Sequence, residues 1–277
     1  MITLAIVGAL ALLAVGAGLW WYLDSRTAMA IAAALACAAV ASAFVFRSPP
    51  PPRDGIAVAV DDSCDAANIT PTLARAIRGA LAPGVNGNAT VVLSWFSYDA
   101  QTTRRILLNL TDAPPASVRG DAVAFANWKA PRTRSAEHAM TRLKTSPCRR
   151  VGTSVVGAAE AANAELEQAG VKGRREIVLV TNLVEYSSSL KIQAHSFGPA
   201  DVQAAVRAIA QLPAPLRPRL GAKAAVRILF VPIVRDDGKD IPLAETTAVA
   251  LESWARRVFR DVLHAGSVRI EVVASAT

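Results

Sequence analysis

Ile56-Ala-Val-Ala-Val60, followed at once by Asp61-Asp-Ser-Cys-Asp65, is the stretch on which the fold turns. Five consecutive apolar residues, rich in β-branched side chains, have the pattern of a strand buried on both faces. Central strands of parallel sheets look like this. The apolar run ends abruptly in Asp61, Ser63 and Asp65, oxygen-bearing side chains at alternate positions. Such a loop lies at the carboxyl edge of the sheet, where open α/β sheets bind their ligands. Two readings of it stand. It is either an acidic turn that caps the next helix, or a loop whose alternate side chains converge on a hard cation such as Mg²⁺.

Working outward, the first 46 residues differ in kind from the rest of the 277. Residues 2–23 are apolar apart from Thr3 and glycines, and end in Trp20-Trp21-Tyr22. Residues 28–46 form a second apolar run without charge. Each is long enough to cross a bilayer, and the aromatic cluster suits a membrane interface. Only Asp24-Ser-Arg-Thr27 separates them. The expectation is a transmembrane helical hairpin at the cell membrane. The alternative, a signal peptide followed by a buried helix, lacks an early Lys or Arg and a polar cleavage region. One cation in the hairpin loop, Arg26, against Arg47 and Arg53 after it favours the cytoplasmic side for the main domain and leaves the other side open. Residues 47–55 include Pro49-Pro-Pro-Pro52 and read as a stiff linker. Residues 56–277 remain for one α/β domain.

That domain is basic. The chain has 30 Lys+Arg and 22 Asp+Glu; beyond residue 47, with Arg26, Arg47 and Asp24 set aside, 28 and 21 remain, a net of +7. A basic domain tethered near a membrane would be drawn to anionic lipid; a plain solvated basic surface is the reading that stands first. Nucleic acid is a poorer fit, because the cations are scattered, aromatics are only 5 % and no nucleic-acid-binding motif is present. Three cysteines, Cys37, Cys64 and Cys148, do not make a disulfide framework.

Pro71 in the first turn and Leu73, Ile77 and Leu81 at spacing four predict a helix ended by Pro83-Gly84 and Asn86-Gly87. Strands are expected over 90–98 and 104–110, the second as an antiparallel edge. Helices over 117–129 and 135–144, broken at Pro131, come next, then an Ala-rich helix over 154–168. Buried strands over 176–180 and 226–234 alternate with a helix over 199–212. A long helix over 243–264, with Leu251, Trp254, Val258 and Leu263 on its inner stripe, leads to a final strand over 268–273. The fold class is a doubly wound, Rossmann-type α/β domain, mainly parallel with one antiparallel edge strand.

These residues resemble the von Willebrand factor A family over about residues 54–275. That family has Asp-x-Ser-x-Ser after its first strand, a Thr before a middle helix and an Asp after its fourth strand, together forming a metal-ion-dependent adhesion site. Here the first loop is Asp61-x-Ser63-x-Asp65, the Thr is Thr153 in Gly152-Thr-Ser-Val-Val-Gly157, and the late position is Asn182 in Leu179-Val-Thr-Asn-Leu183. The C-terminal part, with Leu251-Glu-Ser-Trp254 and Phe259, is similar to a set of membrane-anchored bacterial A-domain-like proteins. The resemblance implies a site made of Asp61, Ser63, Asp65, Thr153 and Asn182, with Mg²⁺ as its cation and Mn²⁺ or Ca²⁺ as substitutes. Asp65 for Ser adds a negative charge and Asn182 for Asp removes one, so a degenerate, metal-free site is the competing reading. The same fold brings Cys64 and Cys148 to one edge, as a disulfide or as two separate thiols.

His138, His195 and His264 show no metal-ligand spacing, and no phosphate-binding glycine run or nucleophile elbow is present. The leading function is a non-enzymatic, membrane-anchored protein–protein interaction module whose protein partner docks at the site edge. A structural scaffold subunit of a membrane assembly is the alternative. A metal-dependent hydrolase centred on Asp61 comes third, because no general base accompanies it.

Overall fold

The computed structural model describes residues 53–61, 69–96, 105–145, 153–187, 190–194, 196–213, 219–236 and 239–273. All belong to one unit, Pro52–Thr277. The two apolar runs, 2–23 and 28–46, and the proline run lie outside the described residues. Among the described residues no helix is long and apolar enough to cross a membrane.

Six strands make the main sheet: β1 (Asp54–Asp61), β2 (Ala89–Phe96), β3 (Arg105–Leu110), β4 (Arg175–Thr181), β5 (Ala224–Phe230) and β8 (Ser267–Val272). Their order is β3-β2-β1-β4-β5-β8. Every pairing is parallel except β2 with β3, which is antiparallel. The architecture is thus α/β, with a mostly parallel sheet and one antiparallel edge strand, as the alternation of elements predicts. The order reverses between β1 and β4, which places the switch-point crevice between the carboxyl ends of those two strands.

β1 is central because both of its faces are apolar. Ala57 and Ala59 face one core with Ile177, Leu179, Val226 and Ile228. Ile56, Val58 and Val60 face the other with Val178 and Val180. The first core is closed by α4 (Val155–Gln168), α5 (Val202–Ala210) and α6 (Glu245–Arg257). In that core Leu251, Trp254, Val258 and Leu263 are all fully buried. The second is closed by α1 (Pro71–Val85) and α3 (Ala122–Thr145), through Leu73, Ile77, Leu81, Met140 and Leu143. Burying such a side chain stabilises by about 1.5–3 kcal/mol each before chain entropy is counted. Small residues on α4 (Ala158, Ala159, Ala162) bring its backbone close to the sheet.

Several expected boundaries move. The helical break foreseen at Pro131 falls instead at Gly120, between a short α2 (Ala116–Arg119) and α3, and α3 runs unbroken through Pro131. Proline there removes one helical bond. The adjacent Arg132 offsets it with tertiary bonds, donating to the carbonyls of Gly84 at 3.1 Å and Asp112 at 3.0 Å. Its guanidinium also lies 4.3 Å from the Trp128 ring centre. Likewise α1 continues past Pro83-Gly84 to Val85, and the turn comes at Gly87, whose φ is 74°. The strand expected over 226–234 divides at Pro232. Ile233–Asp236 (β6) leaves the main sheet and pairs antiparallel with Lys239–Pro242 (β7). The last helix ends in a π-helical turn, Val258–Val262, and the helix foreseen over 199–212 is the shorter α5.

On the face shared with α1, Glu176, Arg227, Arg269 and Glu271 line an open cleft of about 700 Å³. Arg227 pairs with Glu271 through two bonds, at 3.1 and 2.8 Å, and holds that carboxyl below its usual range.

Gly84 marks the closest approach of α1 to the sheet. A Cβ there would lie 2.5 Å from Val91 Cγ2. Gly84→Ala is expected to lower stability by about 1–3 kcal/mol through overpacking. Gly79→Ala, on the same helix with nothing within 4 Å of its Cβ, should be neutral or raise stability by up to about 1 kcal/mol. Denaturant midpoints of the two variants check the pair.

Candidate functional site

Asp61 is the last residue of β1 and is 1 % exposed. A carboxylate this buried requires hydrogen-bond donors, and two other segments supply them. The Thr153 hydroxyl donates to the carboxylate, 2.9 Å from each oxygen. The Thr181 hydroxyl, at the end of β4, donates to Oδ2 at 3.1 Å. The switch-point crevice predicted from strand order therefore holds a carboxylate with threonines from two chain-distant segments closing on it. Thr153 is the position taken from the resemblance. Thr181, by contrast, is a site residue that sequence reasoning passed over. Its signal was present, since Thr181 ends an apolar strand as Asp61 does.

Each threonine is held in turn. Thr181 Oγ1 accepts the Leu183 N–H at 3.1 Å, and Leu183 has a positive φ of 62°. Thr153 forms an isolated parallel bridge with Glu185, and its carbonyl accepts the Tyr186 N–H at 2.6 Å. Ser154 caps α4 by accepting the Gly157 N–H at 3.2 Å.

Asn182 stands at the same edge, directly after β4, but its amide is engaged with backbone. Oδ1 accepts the Val184 N–H at 3.0 Å, and Nδ2 donates to the Ile233 carbonyl at 3.2 Å. The amide thus ties the end of β4 to the start of β6. An aspartate would present an oxygen to that carbonyl, which gives the asparagine at this position a physical reason. Ser63 and Asp65, with Cys64, Cys148 and His195, lie outside the described residues. His138 and His264 are exposed. Among the described residues no group of three or more His, Cys, Asp or Glu is placed to hold a metal ion.

Glu185 is the second buried carboxyl of this edge, 1 % exposed. Its Oε2 accepts the Val156 N–H at 3.1 Å, at the amino end of α4, where unpaired N–H groups and the helix dipole favour an acceptor. Burial still dominates and pushes its pKa from 4.5 up to about 7, against the pull of the Val156 and Val155 N–H groups and of Ser187 and Ser154.

No protein-family model matches the chain, and no curated protein sequence matches it. Among solved structures it is similar to human COPII-coat protein Sec24c, at 13 % identity and a TM-score of 0.43, over 83 % of this chain and 31 % of that one. It is similar also to the pilus adhesin SpaC from Lactobacillus rhamnosus GG in its open conformation, at 13 % and 0.43, over 82 % and 28 %. A third is the manganese-loaded Plasmodium vivax TRAP protein, at 15 % and 0.33, over 64 % and 57 %. The chain spans less than two thirds of each. At these scores the likenesses carry no argument about function, and the architecture stands on its own strand order.

Two outcomes follow. Because the folded state holds the Glu185 proton more tightly than the unfolded chain does, its contribution is full below pH 4.5 and is lost as pH rises to about 7. Glu185→Gln should remove that decline between pH 5 and 7 and be the more stable protein at pH 8, read from unfolding midpoints across pH. Asn182→Asp should cost about 1–3 kcal/mol by stranding the Ile233 carbonyl, read the same way at pH 8.

Proposed function

We propose that this chain is a non-enzymatic, membrane-anchored interaction module of the von Willebrand factor A type, which receives a protein partner at the carboxyl edge around Asp61. The observation that carries the reading is the closure of Thr153 and Thr181 on one buried carboxylate at the switch point. The anchor is the pair of apolar runs, 2–23 and 28–46, with the domain on the cytoplasmic side.

The donor chemistry suits a hard cation. Asp61 contributes a carboxylate, and a Thr153 hydroxyl that gives its proton to Asp61 keeps its oxygen lone pairs. Oxygen-only sets of this kind fit Mg²⁺ with water in the remaining places, and Mn²⁺ or Ca²⁺ less selectively. Ser63 and Asp65, two and four positions further along the sequence, would add a hydroxyl and a second carboxylate. Asn182, with both ends of its amide on backbone, fits the set poorly. A bound cation would offer its open coordination position to a carboxylate of the partner.

One observation favours a second reading, a metal-free scaffold: Asp61 is buried and its carboxyl already accepts the hydroxyls of both Thr153 and Thr181. Asp61→Asn separates the two. Under the leading reading, Mg²⁺ titrated into wild-type protein gives calorimetric heat that the variant lacks, and a partner crosslinked to wild type in membranes is absent from the variant. Absence of heat at millimolar Mg²⁺, with capture unchanged in the variant, leaves the scaffold.

A further inference from the structure

The rim opposite Asp61, where the parallel strands begin, carries an apolar tip. α3 starts there. Asp121 caps it, its Oδ1 accepting the N–H groups of Val123 at 2.8 Å and Ala124 at 3.1 Å. Arg132 is pinned to the carbonyls of Gly84, at the end of α1, and Asp112, just after β3. Nine residues separate Val123 from Arg132, about 14 Å of helix at roughly 1.5 Å per residue. The first turns of α3 thus run out past the rim.

What they present is apolar. Residues 122–129 read Ala-Val-Ala-Phe-Ala-Asn-Trp-Lys, with one charge. Val123 is 70 % exposed. Phe125 and Trp128 stack at 5.7 Å and are only half-buried. Cations flank them: Arg119 on α2 and Lys129 beside Trp128, then Lys172, Arg174 and Lys223 along the same rim ahead of β4 and β5. Of the rim's acids, Asp121 is spent on its cap, Asp54 accepts the Arg174 N–H at 2.8 Å, Glu167 pairs with Arg175, and Glu176 lines the cleft beside Arg174 and Arg227. Asp112 is exposed.

We infer that this rim lies on an anionic lipid surface, with Val123, Phe125 and Trp128 at headgroup depth and the flanking cations on the phosphates. Aromatic and aliphatic side chains ringed by Lys and Arg are what an interfacial helix presents to a bilayer, and each cation near an anionic surface adds attraction. The position of the chain's entry argues for lipid as the occupant. Arg53, the first described residue, donates to the Gly87 and Ala89 carbonyls. Trp128 abuts the same Gly87, where a Cβ would lie 2.6 Å from Cη2. Just upstream the sequence is Arg47-Ser-Pro-Pro-Pro-Pro52 and then the apolar run 28–46, so the inference rests on the anchoring part of the proposed function. Its consequence is orientation. β1, eight residues long, holds Asp61 roughly 25 Å further out, at about 3.3 Å per residue, with the docking edge facing away from the membrane.

Tryptophan quenching by lipid carrying a TEMPO nitroxide on its headgroup tests this on the full chain reconstituted in vesicles of phosphatidylcholine, with and without phosphatidylglycerol. In a Trp20→Phe/Trp21→Phe background the remaining tryptophans are Trp128 and the buried Trp95 and Trp254. The expected result is quenching in phosphatidylglycerol vesicles that disappears with Trp128→Phe, and also with Val123→Asp, which leaves Trp128 in place. Equal quenching with and without Trp128, or quenching that survives Val123→Asp, overturns the inference. The same measurement on a Trp128→Phe chain that keeps Trp20 and Trp21 reports insertion separately, so loss of the anchor and loss of the rim contact give different signals.

Discussion

One buried acidic side chain organises the working edge of this domain. Asp61 ends the central strand, out of water, and its carboxylate is tolerable only because hydroxyl donors reach it from elsewhere. Thr153 is ninety-two residues away in sequence and Thr181 one hundred and twenty. Their arrival requires β4 to lie beside β1 in register, and the segment ahead of α4 to turn down onto the same rim. The sheet order supplies the first condition. The Thr153–Glu185 bridge supplies the second.

Glu185 gives that rim a second, differently poised carboxyl. Asp61 is met by hydroxyl donors from two segments. Glu185 takes a backbone N–H at a helix start yet is raised toward neutrality by burial. The two acids are joined through Thr153, whose side chain serves one and whose backbone is bridged to the other. A change in the protonation of Glu185 therefore bears on the segment that carries the Thr153 hydroxyl.

Much of this was legible in the sequence, for identifiable reasons. Runs such as Ile56–Val60 and Ile177–Val180 are apolar on both faces, and that pattern allows little but a covered parallel strand. The 3.6-residue stripe of Leu251, Trp254 and Val258 was as plain. Boundaries set by long-range bonds were not legible. Nothing local says that Arg132 will bond the Gly84 carbonyl and carry a helix across Pro131. Nor does anything local say that Val226–Val234 divides between two sheets at Pro232. In the site, the resemblance pointed to Asp61 and Thr153, which the structure joins. It pointed also to Asn182, whose amide serves the backbone instead. Thr181 was missed because the motif begins one residue later. The tip of α3 was read as an ordinary helix, since exposure at Val123 depends on where the sheet ends and not on the pattern of the helix.

The clasp that Arg53 makes on the Gly87, Ala89 and Asp112 carbonyls has a mechanical side. Tension arriving along the backbone from upstream meets that clasp first and then β1, which is flanked by parallel neighbours on both sides. A pull directed along such a strand loads its ladder bonds together, in shear, and does not peel them one after another. The element that presents Asp61 at one end is thus, at its other end, the strand on which a load from upstream falls.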